Sequence, residues 1–151
     1  MASSYVLIPF KDANRFLVDC IESLLPQLTD GVEAVLMDDG SRTIAADDPL
    51  LQPFLKDPRI HLLAHKVNMG PAQARNTGLA WCRSAGAEIA ILLDSDCLAK
   101  PGFVEAHIKL HEENPERACI GGAIEGQGTG VWAHLDALMS WFSSVPGTPA
   151  R

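Results

Sequence analysis

The stretch Val35-Leu36-Met37-Asp38-Asp39-Gly40-Ser41 joins an apolar run to two adjacent carboxylates and a glycine. The predicted strand begins at Glu33, and its unbroken apolar run from Ala34 to Met37 predicts a strand covered on both faces, as in a parallel sheet. Gly40 can adopt the positive φ that a sharp turn needs directly after the strand. The strand therefore places Asp38 and Asp39 at its carboxyl end, where the strands of a parallel sheet end together.

A second predicted strand, residues 88–93 with an apolar run from Ile89 to Leu93, also ends in carboxylates, because Asp94-Ser95-Asp96 follows it. The carboxyl ends of parallel strands open onto the crevice where ligands bind, so both acidic groups should face one cleft. Asp94 and Asp96 supply hard oxygen ligands suited to magnesium or manganese. The alternative is that these aspartates only cap helices or close turns. Their joint occurrence after two buried strands favours the ligand site.

The rest of the chain alternates between strand-length apolar runs and helix-period segments, which predicts an α/β fold with a parallel sheet between helices. The predicted strands are residues 5–8, ended by Pro9, then 33–37, 59–64, 88–93 and 118–124. The predicted helices are residues 14–28, with Phe16, Cys20, Leu24 and Leu28 on one face, then 48–55, 72–84, a helix from Pro101 to Asn114, and 131–142.

Composition limits the classes of function. The 151 residues are 47% hydrophobic and 21% charged, which indicates a globular domain with its own core. Twelve basic against 19 acidic residues give a net charge of -7, which repels a phosphate backbone, so no nucleic acid partner is expected. The four cysteines lie far apart without a Cys-x-x-Cys pair, which suits a reducing cytoplasm better than a disulfide framework or zinc site.

Four motifs, in the same order, resemble those of the family 2 glycosyltransferases of the GT-A fold. They are Val6-Leu7-Ile8-Pro9, the stretch quoted first, Asn68-Met69-Gly70-Pro71-Ala72-Gln73-Ala74-Arg75-Asn76-Thr77-Gly78, and Ile91-Leu92-Leu93-Asp94-Ser95-Asp96 with Pro101 beyond it. The resemblance implies a three-layer sheet with helices on both faces. It also implies inverting transfer of a sugar from a nucleotide-diphosphate sugar to the hydroxyl of a glycan or lipid-linked acceptor, with Mn²⁺ or Mg²⁺ on the diphosphate.

The resemblance further implies a role for each matching position. Asp39, with Asp38 beside it, would bind the nucleobase in a pocket lined by Pro9, Lys11 and Asp12. Asp94 would contact the ribose or a metal-bound water, with Ser95 beside it at the substrate. Asp96 would ligate the cation, and Asp94 and Asp96 together form the Asp-x-Asp motif of the family.

Arg75 and Asn76 fall in the first turns of the helix that Gly70-Pro71 opens, close to a helix N-terminus that favours anions. Arg75 would contact the nucleotide or brace the acidic site; the alternative is a surface or carboxylate-paired arginine that only orders the loop. The base pocket departs from the family, which often has an aromatic residue where this chain has Lys11. A stacking contact there is lost or moved to Phe10.

The histidines show one ligand-like spacing, His107 and His111, which we interpret as a solvated helix face rather than a metal site. Trp81, Trp132 and Trp141 are interpreted as packing residues, with Trp132 and His134 as candidates to face an acceptor.

The resemblance places the catalytic base in an acceptor-binding half beyond the Asp-x-Asp motif, and neither Glu125 nor Asp136 matches a base motif of the family. We therefore expect a nucleotide-sugar-binding domain at residues 1–130. The helix and tail at residues 131–151 would lead to a missing acceptor-binding part, which predicts donor binding without full turnover. The apolar face of residues 131–142 predicts a homo-oligomer. The full-length protein is expected in the cytoplasm or peripheral to the inner face of the membrane.

Four other classes of protein compete with this interpretation. One of them, a phosphoacceptor receiver domain, could also use aspartates at strand ends but would need a lone aspartate at the end of its third strand. A non-catalytic nucleotide-sugar-binding or regulatory module would share the donor motifs and lack the base. A nucleotidyltransferase would need a glycine-rich, lysine-containing loop after the first strand, and a dehydrogenase would need Gly-x-Gly-x-x-Gly there. The sequence has neither loop at that position.

Overall fold

A computed structural model describes residues 3–126 and 131 of the chain. The chain divides into a compact unit that ends at Lys109 and a second unit that begins at Leu110. The described strands are β1 (Ser4–Phe10), β2 (Val32–Asp38), β3 (Ile60–Ala64) and β4 (Ile89–Leu92), and the helices are α1 (Arg15–Leu24), α2 (Pro71–Ser84) and α3 (Phe103–Glu113). All strand pairs are parallel, in the order β3-β2-β1-β4. The predicted α/β fold with a parallel sheet is confirmed.

Each central strand sends alternate side chains to opposite faces of the sheet, as the two-residue period of a strand requires. On one face Val6, Ile8 and Leu36 pack in a core that includes Leu17 and Ile21 of α1. The other face has a separate core, formed by Tyr5, Leu7, Val35, Met37, Ala74 and Cys82, the last two from α2. Helices therefore cover both faces, and this three-layer arrangement explains why the central strands are apolar throughout.

α2 approaches β1 closely because Gly78 has no side chain. A Cβ at Gly78 would lie 2.4 Å from Cδ1 of Leu7, whose side chain is fully buried. α2 also carries the chain from β3, at one edge of the sheet, to β4 at the other edge. The strand order reverses between β1 and β4, and that is the position where ligands bind in open sheets of this kind.

The prediction that Pro9 ends the first strand is wrong, since β1 continues through Pro9 to Phe10. The carbonyl of Leu7 accepts the N–H of Leu93 on the β4 side, whereas the carbonyl of Phe10 accepts that of Asp39 on the β2 side. Alternation along the strand turns Pro9 towards β4, whose pairing with β1 has already ended at Leu92. The missing proline N–H therefore costs no ladder hydrogen bond.

α1 is shorter than predicted, and its buried face differs. Asn14 caps the helix by accepting the N–H of Leu17 on Oδ1, and a 3-10 turn, Leu25–Gln27, replaces the predicted last turn. Phe16 was predicted on the core face, yet it is 66% exposed, because Leu17, Val18, Cys20, Ile21 and Leu24 fill that face.

Two other predicted elements are wrong. Residues 48–55 form turns and the start of a 3-10 helix rather than an α-helix, with Oδ1 of Asp48 accepting the N–H of Leu50 in a local turn. Residues 118–124 form no strand; they include Gly121 and Gly122, and most of their side chains are exposed, so they lack the buried face that a strand needs. The predicted helix and oligomer face at residues 131–142 lie outside the described residues, apart from the exposed Val131. Within the described part of the chain, no helix is long and apolar enough to cross a bilayer.

Candidate functional site

The turn after β2 uses Asp38 to hold its own shape. Oδ1 of Asp38 accepts the N–H of Ser41 (2.9 Å) and the Ser41 hydroxyl proton. The hydroxyl oxygen of Ser41 in turn accepts the N–H of Asp12 at 2.7 Å. Asp38 is buried. In the described structure Asp38 therefore stabilises the turn after β2.

Asp12 joins the loop after β1 to this turn. It has a φ of +55°, a left-handed conformation that aspartate tolerates better than most residues. Oδ1 accepts the N–H of Arg42 at 2.9 Å, and Oδ2 lies 3.3 Å from Nε of Arg42. The backbone hydrogen bond from Arg42 is the main reason why the pKa of Asp12 is lowered. Lys11 is exposed at this loop, whereas Phe10 is buried, so Phe10 does not present its ring for the predicted stacking contact.

Asp39 is also buried, and both of its carboxylate oxygens accept hydrogen bonds. Oδ1 accepts from the N–H of Met69 (2.9 Å) and lies 2.9 Å from Nδ1 of His65, while Oδ2 accepts from the N–H of Gly70 (2.8 Å). Nε2 of His65 lies 2.9 Å from the hydroxyl of Thr77. Burial acts to raise the pKa of Asp39, but the hydrogen bonds from His65, Met69 and Gly70 outweigh burial and lower it. The carboxylate thus stays ionised beside the N-terminus of α2, where a negative charge is favourable.

Gly40 lets the loop before α2 lie against the turn after β2. Its φ is +70°, and a Cβ there would lie 2.3 Å from the carbonyl carbon of Val67 and 2.4 Å from the nitrogen of Asn68. The backbone N–H of His65 also donates to the carbonyl of Asp38 at 2.9 Å. The β2 turn and the α2 loop are therefore one packed unit.

Asp94, two residues beyond β4, is joined to two helices. Its Oδ1 lies 2.6 Å from a terminal nitrogen of Arg75 in α2. Its carbonyl accepts a weak hydrogen bond from the thiol of Cys20 in α1, with sulfur and oxygen 3.6 Å apart. Burial raises the pKa of that thiol to about 12, so Cys20 remains a protonated donor. Arg75 is therefore paired with one carboxylate of the predicted acidic site.

Asp96 is exposed, and Oδ1 lies 3.9 Å from the Cys97 thiol. Ser95 is half-buried between the two aspartates. The segment beyond them is tied to the end of α1: Gln27 donates to the carbonyls of Ala99 and Lys100, and Ser23 accepts the N–H of Ala99. Among the described residues, no group of three or more metal-ligating side chains occurs. Asp94 and Asp96 remain as two carboxylates at the switch point of the sheet.

Several other predictions fall elsewhere in the described structure. Asn76 is exposed on α2, and Pro9 is half-buried near the end of β1. Trp81 packs against Tyr5 and His61, with ring centroids 5.6 and 4.9 Å apart, which agrees with a packing role. His107 stacks edge-on against Phe103 at 4.8 Å.

Sequence reasoning missed His65 and Thr77, which hold Asp39, and Gln27, which holds the segment after Asp96. A signal for His65 was present: it directly follows β3, as Asp39 follows β2, and β2 and β3 are neighbours. Thr77 and Gln27 carried no such signal, because their partners are distant in the sequence.

Comparisons with known proteins agree with this fold. The sequence profile of glycosyl transferase family 2 matches residues 5–149. Glycosyltransferase GlyG of Streptococcus pneumoniae serotype 4 is 29% identical over 117 residues, covering 77% of this chain and 37% of that protein. Succinoglycan biosynthesis protein ExoO of Rhizobium meliloti is 39% identical over 120 residues, covering 80% of this chain and 30% of that protein. The chain therefore spans well under half the length of these relatives.

Solved structures with the same fold include S. aureus TarS in complex with UDP, with a TM-score of 0.69 at 20% identity, covering 87% of this chain and 38% of that one. Another is mannosyltransferase PcManGT from Pyrobaculum calidifontis in complex with GDP-Man and Mn2+, with a TM-score of 0.61 at 17% identity, covering 82% of this chain and 35% of that one. At these identities the likeness establishes the GT-A fold alone. Because the family profile covers nearly the whole sequence, the chain belongs to glycosyl transferase family 2.

Proposed function

We propose that this chain binds a nucleoside diphosphate sugar, the donor of an inverting glycosyl transfer, across the carboxyl edge of its sheet. The observation that carries the proposal is the way α2 joins the two acidic turns. The loop before α2 donates two backbone N–H groups to Asp39, and Arg75 in α2 pairs with Asp94. One helix thus fixes both turns, on either side of the end of β1.

The base end of the donor is assigned to Asp39. An ionised carboxylate only accepts hydrogen bonds and offers about four acceptor positions, of which His65, Met69 and Gly70 use three. The remaining position suits a base with a ring N–H, as uracil and guanine have. The complexes of TarS with UDP and of PcManGT with GDP-Man contain these two bases. We therefore propose uridine or guanosine diphosphate sugars as donors.

The diphosphate end is assigned to Asp94 and Asp96. Their donor set fits magnesium or manganese, because such ions are commonly held by one or two carboxylates together with substrate phosphates and water. The cation, when bound, would neutralise the charge that builds on the departing diphosphate. Arg75 pairs with Asp94, so its positive charge would also lie close to the diphosphate. The acceptor, and the base that takes its proton, are assigned to none of the described residues.

The test is calorimetric titration of the chain with UDP, GDP, ADP and CDP, with and without Mn²⁺. We expect UDP or GDP to bind more tightly than ADP and CDP, and Mn²⁺ to strengthen the binding. The Asp96→Asn variant should lose at least about tenfold in Mn²⁺-dependent affinity, roughly 1.4 kcal/mol. Asp30→Asn is the matched control. Asp30 is an exposed aspartate that lies before β2, at the amino ends of the strands and away from the candidate site at their carboxyl ends.

Two results would count against the proposal in different ways. If no nucleoside diphosphate binds, the donor site is wrong as a whole. If binding depends on Mn²⁺ but Asp96→Asn behaves as the wild type does, Asp96 has no part in holding the cation.

A further inference from the structure

Asp39, His65 and Thr77 form a chain of hydrogen bonds between β2, the loop after β3 and α2. The two contacts, Oδ1 of Asp39 to Nδ1 of His65 and Nε2 of His65 to the hydroxyl of Thr77, are both 2.9 Å long. The side chains of His65 and Asp39 are 10% and 7% exposed. The order of carboxylate, imidazole and hydroxyl is that of a hydrolase triad, but this hydroxyl is in the middle of a helix whose next residue, Gly78, packs on β1.

The hydrogen bond to Asp39 persists in either protonation state of His65. A carboxylate can only accept, so Nδ1 carries the proton that faces Asp39. In the neutral ring Nε2 accepts the hydroxyl proton of Thr77, and in the charged ring Nε2 donates to the hydroxyl oxygen. Thr77 therefore selects the ring orientation that points Nδ1 at Asp39.

The loop between His65 and α2 depends on these polar contacts for its position. Val67 and Met69 are 67% and 55% exposed, so their side chains contribute little burial. The loop is held instead through the backbone, by the N–H groups of Met69 and Gly70 on Asp39 and by the close approach to Gly40. The orientation of the Asp39 carboxylate consequently decides where the loop lies.

We propose that His65, oriented by Thr77, is a positioning residue for donor binding: it fixes the Asp39 carboxylate, and with it the loop that begins α2. This inference rests on the proposed function. Because Arg75 follows in α2 and pairs with Asp94, a shift of this loop would reach the diphosphate end of the site as well as the base end.

Two substitutions of His65 separate the effect of losing the hydrogen bond to Asp39 from the effect of losing the imidazole ring. The side-chain nitrogen of asparagine can occupy the place of Nδ1, so His65→Asn keeps a donor towards Asp39 and loses the contact with Thr77. Glutamine places its nitrogen near Nε2, so His65→Gln keeps the contact with Thr77 and loses the donor. His61→Gln is the control, because His61 lies on β3 against Glu33 and Trp81, away from Asp39.

The first measurement needs no ligand: hydrogen exchange of the Met69 and Gly70 amides, followed by NMR in the free protein. The second is the Kd for UDP and GDP with Mn²⁺. We expect His65→Gln to speed both exchange rates and raise the Kd by about tenfold, and His65→Asn to stay within about threefold of the wild type in both. A second pair leaves His65 in place: Thr77→Val should weaken binding several-fold, and Thr77→Ser should not.

Equal effects of His65→Asn and His65→Gln on the two amides would overturn the proposal. The same holds if Thr77→Val leaves amide exchange and affinity unchanged. If the wild type binds neither nucleotide, the proposed function fails, and the amide measurements still decide whether His65 positions Asp39.

Discussion

The side chain of Asp57 holds Arg59, the residue directly before β3. Oδ1 accepts the backbone N–H (2.9 Å) and Nε (3.0 Å) of Arg59, and Oδ2 accepts Nη2 at 2.6 Å. Arg59 also donates to the carbonyl of Leu28, before β2. The side-chain hydrogen bonds from Arg59 are the main reason why the pKa of Asp57 falls from 3.8 to about 2.

This pair predicts a stability contribution that depends on pH. The folded-state pKa of Asp57 is depressed, so its contribution is complete above about pH 5 and is lost as the pH falls through 4 towards 2. The side chains of Arg59 and Asp57 are 43% and 22% exposed, so after solvent screening we expect about 1 kcal/mol. Asp57→Asn should lower the free energy of unfolding by that amount at pH 7, and the difference from the wild type should shrink at pH 4 and pH 3.

Urea unfolding at each pH measures this difference. Asp47→Asn is the control for charge alone, because Asp47 is exposed in the 3-10 turn Ala45–Asp47. A difference between Asp57→Asn and the wild type that stays constant from pH 7 to pH 3 would show that the ion pair is not its source.

At the scale of elements, the fit between the β2 turn and the α2 loop depends on Gly40. Gly40→Ala would add a Cβ against the backbone of Val67 and Asn68, which no side-chain rotation can relieve, at a residue with positive φ. We expect a loss of about 3 kcal/mol in the free energy of unfolding, roughly 1 from the backbone conformation and the rest from overpacking. Thermal or urea unfolding of the variant measures the loss.

Gly86 provides the matched control for Gly40. Its φ is +86°, similar to that of Gly40, but a Cβ there would meet nothing within 4 Å. Gly86→Ala should therefore cost about 1 kcal/mol, from backbone conformation alone. If both variants lose the same free energy of unfolding, the close approach at Gly40 does not contribute to the loss.

The elements also show what could be predicted from the sequence. β2 was predictable because a central strand of a parallel sheet is apolar on both faces, and Gly70-Pro71 indicated the start of α2. β4 was predictable from its apolar run, although it lies at an edge of the described sheet and only Ile91 of its four residues is buried. The buried face of α1 was not predictable. The four-residue spacing predicted that Phe16 is buried, whereas Leu17 and Val18 are buried instead, because packing sets the orientation of the helix. The local sequence of residues 118–124 predicted a strand, but a strand also needs a neighbouring strand and a buried face.

The position of the candidate site in the fold was predictable from the sequence, but the contacts of its residues were not. Strand ends located Asp39 and Asp94 at one edge, since sheet topology requires it. The partners of Asp39 come from residues 26 to 31 positions further along the chain, so only the folded structure brings them together. The sequence also did not show that Oδ1 of Asp38 accepts two hydrogen bonds from Ser41 within its own turn.

At the scale of the whole molecule, the candidate site is assembled from parts that are far apart in the chain. Asp12, Asp39, Arg75 and Asp94 come from four different segments, and each is held by a contact with another segment that forms only when the sheet is complete. A ligand that spans the site can therefore bind the folded chain and not the unfolded one. Such a ligand stabilises the fold by mass action, by about 2.7 kcal/mol at a concentration of 100 times its Kd.

The prediction is a rise in the melting temperature when a preferred nucleoside diphosphate and Mn²⁺ are present together. For a domain of this size, 2.7 kcal/mol corresponds to roughly 5 to 10 °C. The rise should become smaller with EDTA and fall by about half or more in Asp96→Asn, whereas Asp30→Asn should keep it. Differential scanning calorimetry measures the shift directly, and an equal rise with Mn²⁺ alone would mean that the cation binds without the nucleotide, contrary to a site that the diphosphate completes.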